Sequence, residues 1–225
     1  MRYACLSSAY LAPVQYYCKL FHYDAVRMET AENYPKQTYR NRCIIAGANG
    51  PLTLSVPVEK PDRPKCLTRD IRISDHGNWR HLHWNAIVSS YNTSPFFEYY
   101  ADDFLPFYEN KYSFLLDFNE KLRELICGLL DISPRIDYTV AYIPDVPDDF
   151  REIIRPRRPG EDPAFRPKPY YQVFSDKSGF LPNLSIIDLL FNMGPESLLI
   201  LRDSGAPSHL PESKKSAHLG ALSND

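Results

Sequence analysis

Between two apolar runs of this 225-residue chain lies Glu29-Thr-Ala-Glu32-Asn-Tyr34-Pro-Lys36-Gln37-Thr-Tyr39-Arg40-Asn41-Arg42-Cys43. Few connections bring carboxylates, cations, phenols and amides so close together. Guanidinium forks bind carboxylate or phosphate bidentately, so Arg40, Arg42 and Lys36 are candidate holders of a small anionic or sugar-like ligand. Gln37 and Asn41 add amide contacts. Ser8, Tyr10 and Tyr16, from the opening of the chain, add hydroxyl and aromatic ones. Glu29 or Glu32 would serve as a general base if burial raised its pKa toward neutrality. His83 is a third catalytic candidate, set on an apolar helical stripe where a hydrogen-bonded core role is the commoner one. Cys43, beside cations but opening a strand, suits a structural thiol better than a nucleophile. The plainer alternative for the whole stretch is a surface loop stapled by its own Glu–Arg pairs.

The elements around this stretch decide whether such groups meet. Tyr3-Ala-Cys-Leu6 predicts a buried strand. A helix follows Pro13 with Val14, Tyr17, Cys18 and Phe21 on one face, and Ala25–Glu29 predicts a second strand. Strand, helix and strand make a parallel pair with a right-handed crossover, which gathers the loops after both strands at one sheet edge. Asn49-Gly50 between apolar runs predicts a hairpin over about Cys43–Val58, its tight turn drawing positive φ from that dipeptide. Leu52, Leu54, Val56 and Val58 alternate toward one face, and Leu67–Ile73 predicts another strand beyond a Pro-rich loop at Lys60–Lys65.

The remainder is mostly helical. One stripe runs Trp79, Leu82, His83, Ala86, Ile87, Tyr91. A helix capped at Ser94-Pro95 is expected to break or kink at Pro106, and a core-packing helix spans Leu115–Leu129. Tyr138–Ile143 predicts a strand. The arginine- and proline-rich Arg151–Pro169 predicts a loop, either a solvated insert or a basic flap over a ligand. Ser185 and Asp188 have capping spacing for a helix that Gly194-Pro195 ends. The expected fold class is α/β: a mixed sheet opening with a strand–helix–strand unit plus a β-hairpin, followed by a mostly helical C-terminal half. One domain is expected over residues 1–202, with a disordered tail over 203–225.

Composition narrows the function classes. A net charge of −2 gives no global attraction to nucleic acid or anionic membrane, so nucleic acid is not an expected partner and any anion site is local. An RNA-binding role through Arg and Tyr meets the same objection. The five cysteines, an odd number, show no metal-ligand spacing and suit reduced thiols. Asp102-Asp103 point to different helix faces and suit solvent better than a metal. No metal is expected, and no cofactor is indicated. No segment has the length of a membrane span, nor does the N-terminus have the apolar run of a signal peptide, so a cytoplasmic location is expected. The sequence does not indicate an oligomeric state.

Three blocks together resemble the WbqC-like family: Tyr10-Leu11 through Tyr16, then Lys36 with Asn41-Arg42, then Trp79 with Tyr91 and Ser94-Pro95-Phe96-Phe97. The closing Tyr171-Gln172-Val-Phe174 through Gly179-Phe180-Leu-Pro-Asn183-Leu184-Ser185-Ile-Ile-Asp188-Leu-Leu-Phe191-Asn192 is similar to that family's C-terminal signature. The resemblance implies a role in making or decorating a bacterial surface polysaccharide, of O-antigen type. It brings no established catalytic residues to carry over. Where many members have a Gln-Pro pair and, after the second strand, an acidic pair, this chain has Ser7-Ser8 and Glu29 with Glu32. Two functions follow from the resemblance and the loop chemistry. One is an acyl or aminoacyl transferase acting on an amino sugar or nucleotide-sugar. The other is a non-catalytic glycan- or nucleotide-binding partner of a polysaccharide assembly complex.

Overall fold

Tyr-Ala-Cys-Leu-Ser is an apolar run too short for a stable helix, and it forms the strand β1, Tyr3–Ser7, with four of its five residues buried. The computed structural model describes residues 1–60 and 65–205. Helix α1, Val14–His22, follows Pro13, whose extended backbone sets the helix entry. Strand β2, Ala25–Glu29, then lies parallel to β1 with Ser7 opposite Glu29. The crossover through α1 gives the chain the length that parallel pairing demands.

Strands β3, Arg42–Gly47, and β4, Gly50–Ser55, form the expected antiparallel hairpin. Its turn differs in detail. Gly47 pairs with Gly50, so Ala48-Asn49 is the loop, and the positive φ falls on Gly50 (106°) and not on Asn49. Glycine takes that conformation without the Cβ penalty that asparagine would carry. Leu54 and Val56 face the core, whereas Leu52 near the turn is 40% exposed.

The expected strand at 67–73 is instead a 3-10 turn, Thr68–Asp70. Its backbone donors go to the loop after β2, Thr68 N–H to Glu32 O and Arg69 N–H to Thr30 O, so no partner strand is available. Isolated bridges hold its flanks, Asn33 with Leu67 and Val58 with Ile73. Part of the Pro-rich loop before it, residues 61–64, lies outside the described residues.

Helix α2 spans Trp79–Tyr91, with Trp79, His83, Ile87 and Tyr91 buried one turn apart. Leu82, placed on that stripe by periodicity, faces solvent at 59% exposure. Helix α3, Phe97–Glu109, begins two residues after Pro95, and Ser94 Oγ donates back to Tyr91 O without capping it. α3 runs on past Pro106, which does not end it. Pro106 and Asp102 are both exposed, so the carbonyl that loses its donor is solvated and the proline is tolerated. Helix α4, Leu115–Leu129, is as expected. Strand β5 is Ile136–Tyr138, earlier than expected, pairing parallel with β2 from Val26 to Met28. Beyond Thr139 the chain leaves the sheet, and Val140 is 87% exposed. β2 is therefore the middle strand of the β1-β2-β5 sheet.

The arginine-rich 151–169 segment is a loop whose Arg157, Arg158, Arg166 and Lys168 are exposed to solvent, while Arg151 and Asp162 tie it to the fold. Phe150 N–H donates to Cys5 O and Cys5 N–H to Asp148 O along the outer edge of β1. Asp162 is paired with Lys19 of α1 at 2.6 Å, both nearly enclosed, and Lys19 also lies over the Phe150 ring. After the single turn α5, Ser175–Ser178, come α6, Ile186–Met193, and α7, Ser197–Ser204. α7 extends two residues past the expected start of the tail, and Gly205 pairs with Phe165. Residues 206–225, where most of that tail was expected, lie outside the described residues.

Seven of the eight α6 residues are buried. Phe191 is packed edge-on by Tyr91, Phe97 and Phe104. Ser185 does not cap α6; its hydroxyl donates to Leu11 O. Nor does Asp188 act as a first-turn surface acid. Its buried carboxylate accepts from Tyr91 (2.9 Å), Tyr170 (2.7 Å) and Gln172 Nε2 (2.8 Å). Tyr91 in turn accepts from the Ala46 N–H of β3, so one carboxylate joins hairpin, α2, α6 and the C-terminal segment. Burial raises its pKa, and the three donors pull it back. Asp188→Ala should lower unfolding free energy by about 3 kcal/mol or more, because it strands three buried donors. Denaturant titration checks this; a loss below about 1 kcal/mol would show that the hub is not needed.

Candidate functional site

The parallel crossover brings the loops after β1 and β2 together at the C-terminal ends of the strands, where open α/β sheets commonly bind ligands. Glu29 closes β2 and is 0% exposed. Its Oε1 accepts from the Ala31 N–H (2.7 Å) and the Thr139 hydroxyl (2.8 Å), and its Oε2 from Arg151 Nη1 (3.1 Å). Arg151 also holds Asp149, through Nε at 2.9 Å and Nη2 at 2.6 Å, and Nη2 donates to Pro144 O at 3.2 Å. Three residues on, Glu32 receives a bidentate fork from Arg40, Nε to Oε1 at 2.7 Å and Nη2 to Oε2 at 2.6 Å. Arg40 Nη2 also donates to Ser7 Oγ at 2.6 Å. Asn119 of α4 completes the frame, its amide donating to Ser8 Oγ (3.2 Å) and to Arg40 O (2.8 Å).

These groups border one narrow cleft, walled by Ser7, Ser8, Tyr16, Tyr39, Arg40 and Arg151. It has room for about one water molecule, and it opens to solvent. No acceptor among the described residues takes the protons of Arg40 Nη1, and that nitrogen is not sealed from solvent. Burial pushes the Tyr39 phenol up to about 12, so it stays protonated.

The sequence candidates divide in space. Ser8, Tyr16 and Arg40 reach the cleft, and Glu29 and Glu32 lie behind it as partners of the arginines. All four of those carboxylate oxygens already accept hydrogen bonds, which is the arrangement of structural counter-ions. Tyr10 and His83 are elsewhere, in the core. The Tyr10 hydroxyl is 2.9 Å from His83 Nδ1 and 2.9 Å from the Tyr108 hydroxyl. Burial drives His83 down to about 4, partly opposed by a hydrogen bond to the Ser55 backbone, so it is neutral at pH 7. Lys36 and Gln37 are exposed and outside the cleft, Gln37 at φ 61° with its carbonyl 3.5 Å from Arg157 Nη1. Asn41 donates to Val56 O, and Arg42 opens β3 with its Nε enclosed and without a partner. Tyr16 presents its ring to the cleft while its hydroxyl donates to Met28 Sδ at 3.6 Å. Cys43 is fully buried, and burial holds its thiol well above the usual range, away from thiolate.

Sequence reasoning missed Ser7, Tyr39, Asn119 and Arg151. Arg151 is the first of a run of arginines, and no local pattern separates it from the others. Asn119 lies on the inner face of an otherwise apolar stripe, a polar exception that was a usable signal. Among the described residues no three His, Cys, Asp or Glu side chains gather as a metal site, and no helix is long and apolar enough to cross a membrane.

Against known proteins, residues 8–153 match the model of the WbqC-like protein family. The chain is also similar to a Mycobacterium tuberculosis protein named uncharacterized protein Rv1507c. The two are 29% identical over 196 residues, spanning 75% of this chain and 84% of that one. No solved structure matches.

Two expectations follow from the geometry. Arg40→Ala should destabilise the fold by about 3–5 kcal/mol, because it leaves the Glu32 carboxylate buried and unpaired. Urea unfolding measures it, and a loss under about 1 kcal/mol would assign the pair to the class of surface bridges. For His83 the folded pKa lies below the unfolded one, near 6.5. Below that value the unfolded chain binds the proton and the folded one does not, so stability falls as pH drops from about 6.5 to 4. The contribution is about 3 kcal/mol, and His83→Asn should flatten that part of the stability–pH curve.

Proposed function

This chain belongs to the WbqC-like protein family, and from that membership we propose that it acts in making or modifying a bacterial surface polysaccharide, with the Ser7–Ser8–Arg40 cleft receiving one group of a small sugar-derived ligand. The observation that carries the proposal is the state of Arg40. An exposed Glu–Arg pair is worth ~1 kcal/mol or less and fixes no geometry. Arg40 is 3% exposed, clamped by Glu32 and Ser7, and lines a cleft with tyrosine walls while its Nη1 has no acceptor among the described residues. A guanidinium held in this way is pre-organised, so less conformational freedom is lost when a ligand binds.

The reaction that suits such a ligand is transfer of an acyl or aminoacyl group to an amino sugar or nucleotide-sugar. One observation favours the second reading, a non-catalytic glycan- or nucleotide-binding partner of an assembly complex. Glu29 and Glu32 both accept from buried arginines, and His83 lies in the core, so no free base borders the cleft.

Calorimetric titration with nucleotide-sugars and amino-sugar phosphates, beside mass spectrometry of mixtures containing acyl or aminoacyl donors, separates these readings. Binding is expected from at least one sugar class. Arg40→Lys keeps a charge beside Glu32 but loses the fork, and should weaken binding by about tenfold with the melting transition retained. Lys36→Ala should leave binding unchanged. Transfer product would establish the enzyme; binding without product would establish the partner. If no sugar or nucleotide-sugar binds, the proposal fails.

A further inference from the structure

Every polar side-chain group on the wall of the cleft is a hydrogen-bond donor, though Tyr16 gives its proton to Met28 and Arg151 is engaged by Glu29, Asp149 and Pro144 O. Ser7 Oγ accepts from Arg40 Nη2, and Ser8 Oγ accepts from Asn119 Nδ2. Neither hydroxyl donates to any group among the described residues, although the two serines are 8% and 1% exposed. Arg40 Nη1 adds a third uncommitted donor. Among the described residues, no carboxylate or side-chain amide lines the cleft. A hydroxyl that accepts but does not donate, nine-tenths buried, lacks half of its hydrogen bonding, and two of them border the same opening.

Charge narrows what fits. Arg40 is balanced by Glu32, and Arg151 by both Glu29 and Asp149, so three carboxylates stand against two guanidiniums. An entering anion would meet no net positive charge. A plain sugar hydroxyl would bring a proton of its own, which among the wall's side chains only the spare lone pair of a serine or Tyr39 oxygen could accept. An amide or acyl carbonyl suits both conditions, since it is uncharged, accepts through two lone pairs and carries no proton. The free space in the cleft, about that of one water molecule, can admit one such oxygen.

We infer that the cleft is a receptor for a single uncharged carbonyl oxygen, and that its ligands are N-acylated amino sugars whose acyl carbonyl enters between Ser7, Ser8 and Arg40. The sugar part of this inference rests on the function proposed above. Converging donors around one oxygen are also the means by which proteins stabilise charge that develops on a carbonyl, so the same receptor would serve acyl transfer if a reaction occurs.

The test compares the methyl glycoside of N-acetylglucosamine with that of glucosamine by calorimetry. The acetylated sugar is expected to bind about tenfold tighter or more, as for one well-made hydrogen bond to a constrained donor set. Ser7→Ala and Ser8→Ala, checked by thermal melting, should each remove most of that preference. In parallel, N-methylacetamide and acetate are titrated into the unaltered, isotope-labelled protein. N-methylacetamide should saturably shift the amide resonances of Ser7, Ser8 and Ala9, and acetate should bind more weakly. Equal binding of the two glycosides would overturn the inference while leaving the proposed function standing. If no sugar binds but N-methylacetamide still shifts those resonances, the carbonyl receptor stands and the sugar reading falls. Acetate binding more tightly than N-methylacetamide, or neither binding, would overturn the receptor itself.

Discussion

A carboxylate at the end of a buried parallel strand stays charged and dry only with a cation or a full set of donors, and the architecture at the sheet edge follows from that demand. Removing such a group from water costs several kcal/mol unless it is paired and fully hydrogen-bonded. Glu29 ends the middle strand with no exposed surface, and its partner Arg151 comes from 122 residues further along the chain. To deliver that guanidinium, the segment around Phe150 lies along β1 and exchanges backbone hydrogen bonds with Cys5. Glu32 makes the same demand locally and is met by Arg40 within its own loop. The cleft is the space left between these two solutions, so its polarity is a consequence of how the strand ends are neutralised.

The buried carboxylate of α6 is handled differently. Asp188 has no cation; two phenols and an amide donate to it. Neutral donors stabilise a buried charge less than a guanidinium does, which agrees with the upward direction of its pKa. They do bring three separate elements to one point. The two devices therefore divide the labour: ion pairs shape the sheet edge and leave hydroxyls free, whereas the neutral hub locks helices to the hairpin and leaves nothing for a ligand. The Tyr10–His83–Tyr108 contact belongs with the hub in kind, as a closed polar link inside an aromatic core that joins Tyr10 to α2 and α3.

For function, the useful distinction is between groups that are polar and groups that are unsatisfied. The Glu29–Arg42 stretch is dense in donors and acceptors, yet its two carboxylates are fully engaged by their partners. What remains available is small: two serine protons, one face of Arg40 and the phenol of Tyr39. That scarcity makes the cleft selective in principle, because few ligand groups match so small a set of uncommitted protons.

Local and periodic features were legible in the chain itself. The strand–helix–strand opening, the hairpin and the helices at 79–91 and 115–129 follow from apolar spacing, because burial of one face is a property of residues close in sequence. The approach of Ser8 and Arg40 was legible for the same reason: a parallel crossover puts the loops after both strands at one edge. Only the tertiary structure could decide the pairings. Whether Leu67–Ile73 forms a strand depends on a neighbour strand, and its backbone donors went to the loop after β2. Whether Glu29 is a base or a counter-ion depends on Arg151, which no local pattern marks. Whether Tyr10 reaches a ligand depends on His83 and Tyr108 taking its hydroxyl first. Burial and hydrogen-bond partners are set by residues distant in sequence, and so the chain alone revealed which chemistry was present but not which of it was left free.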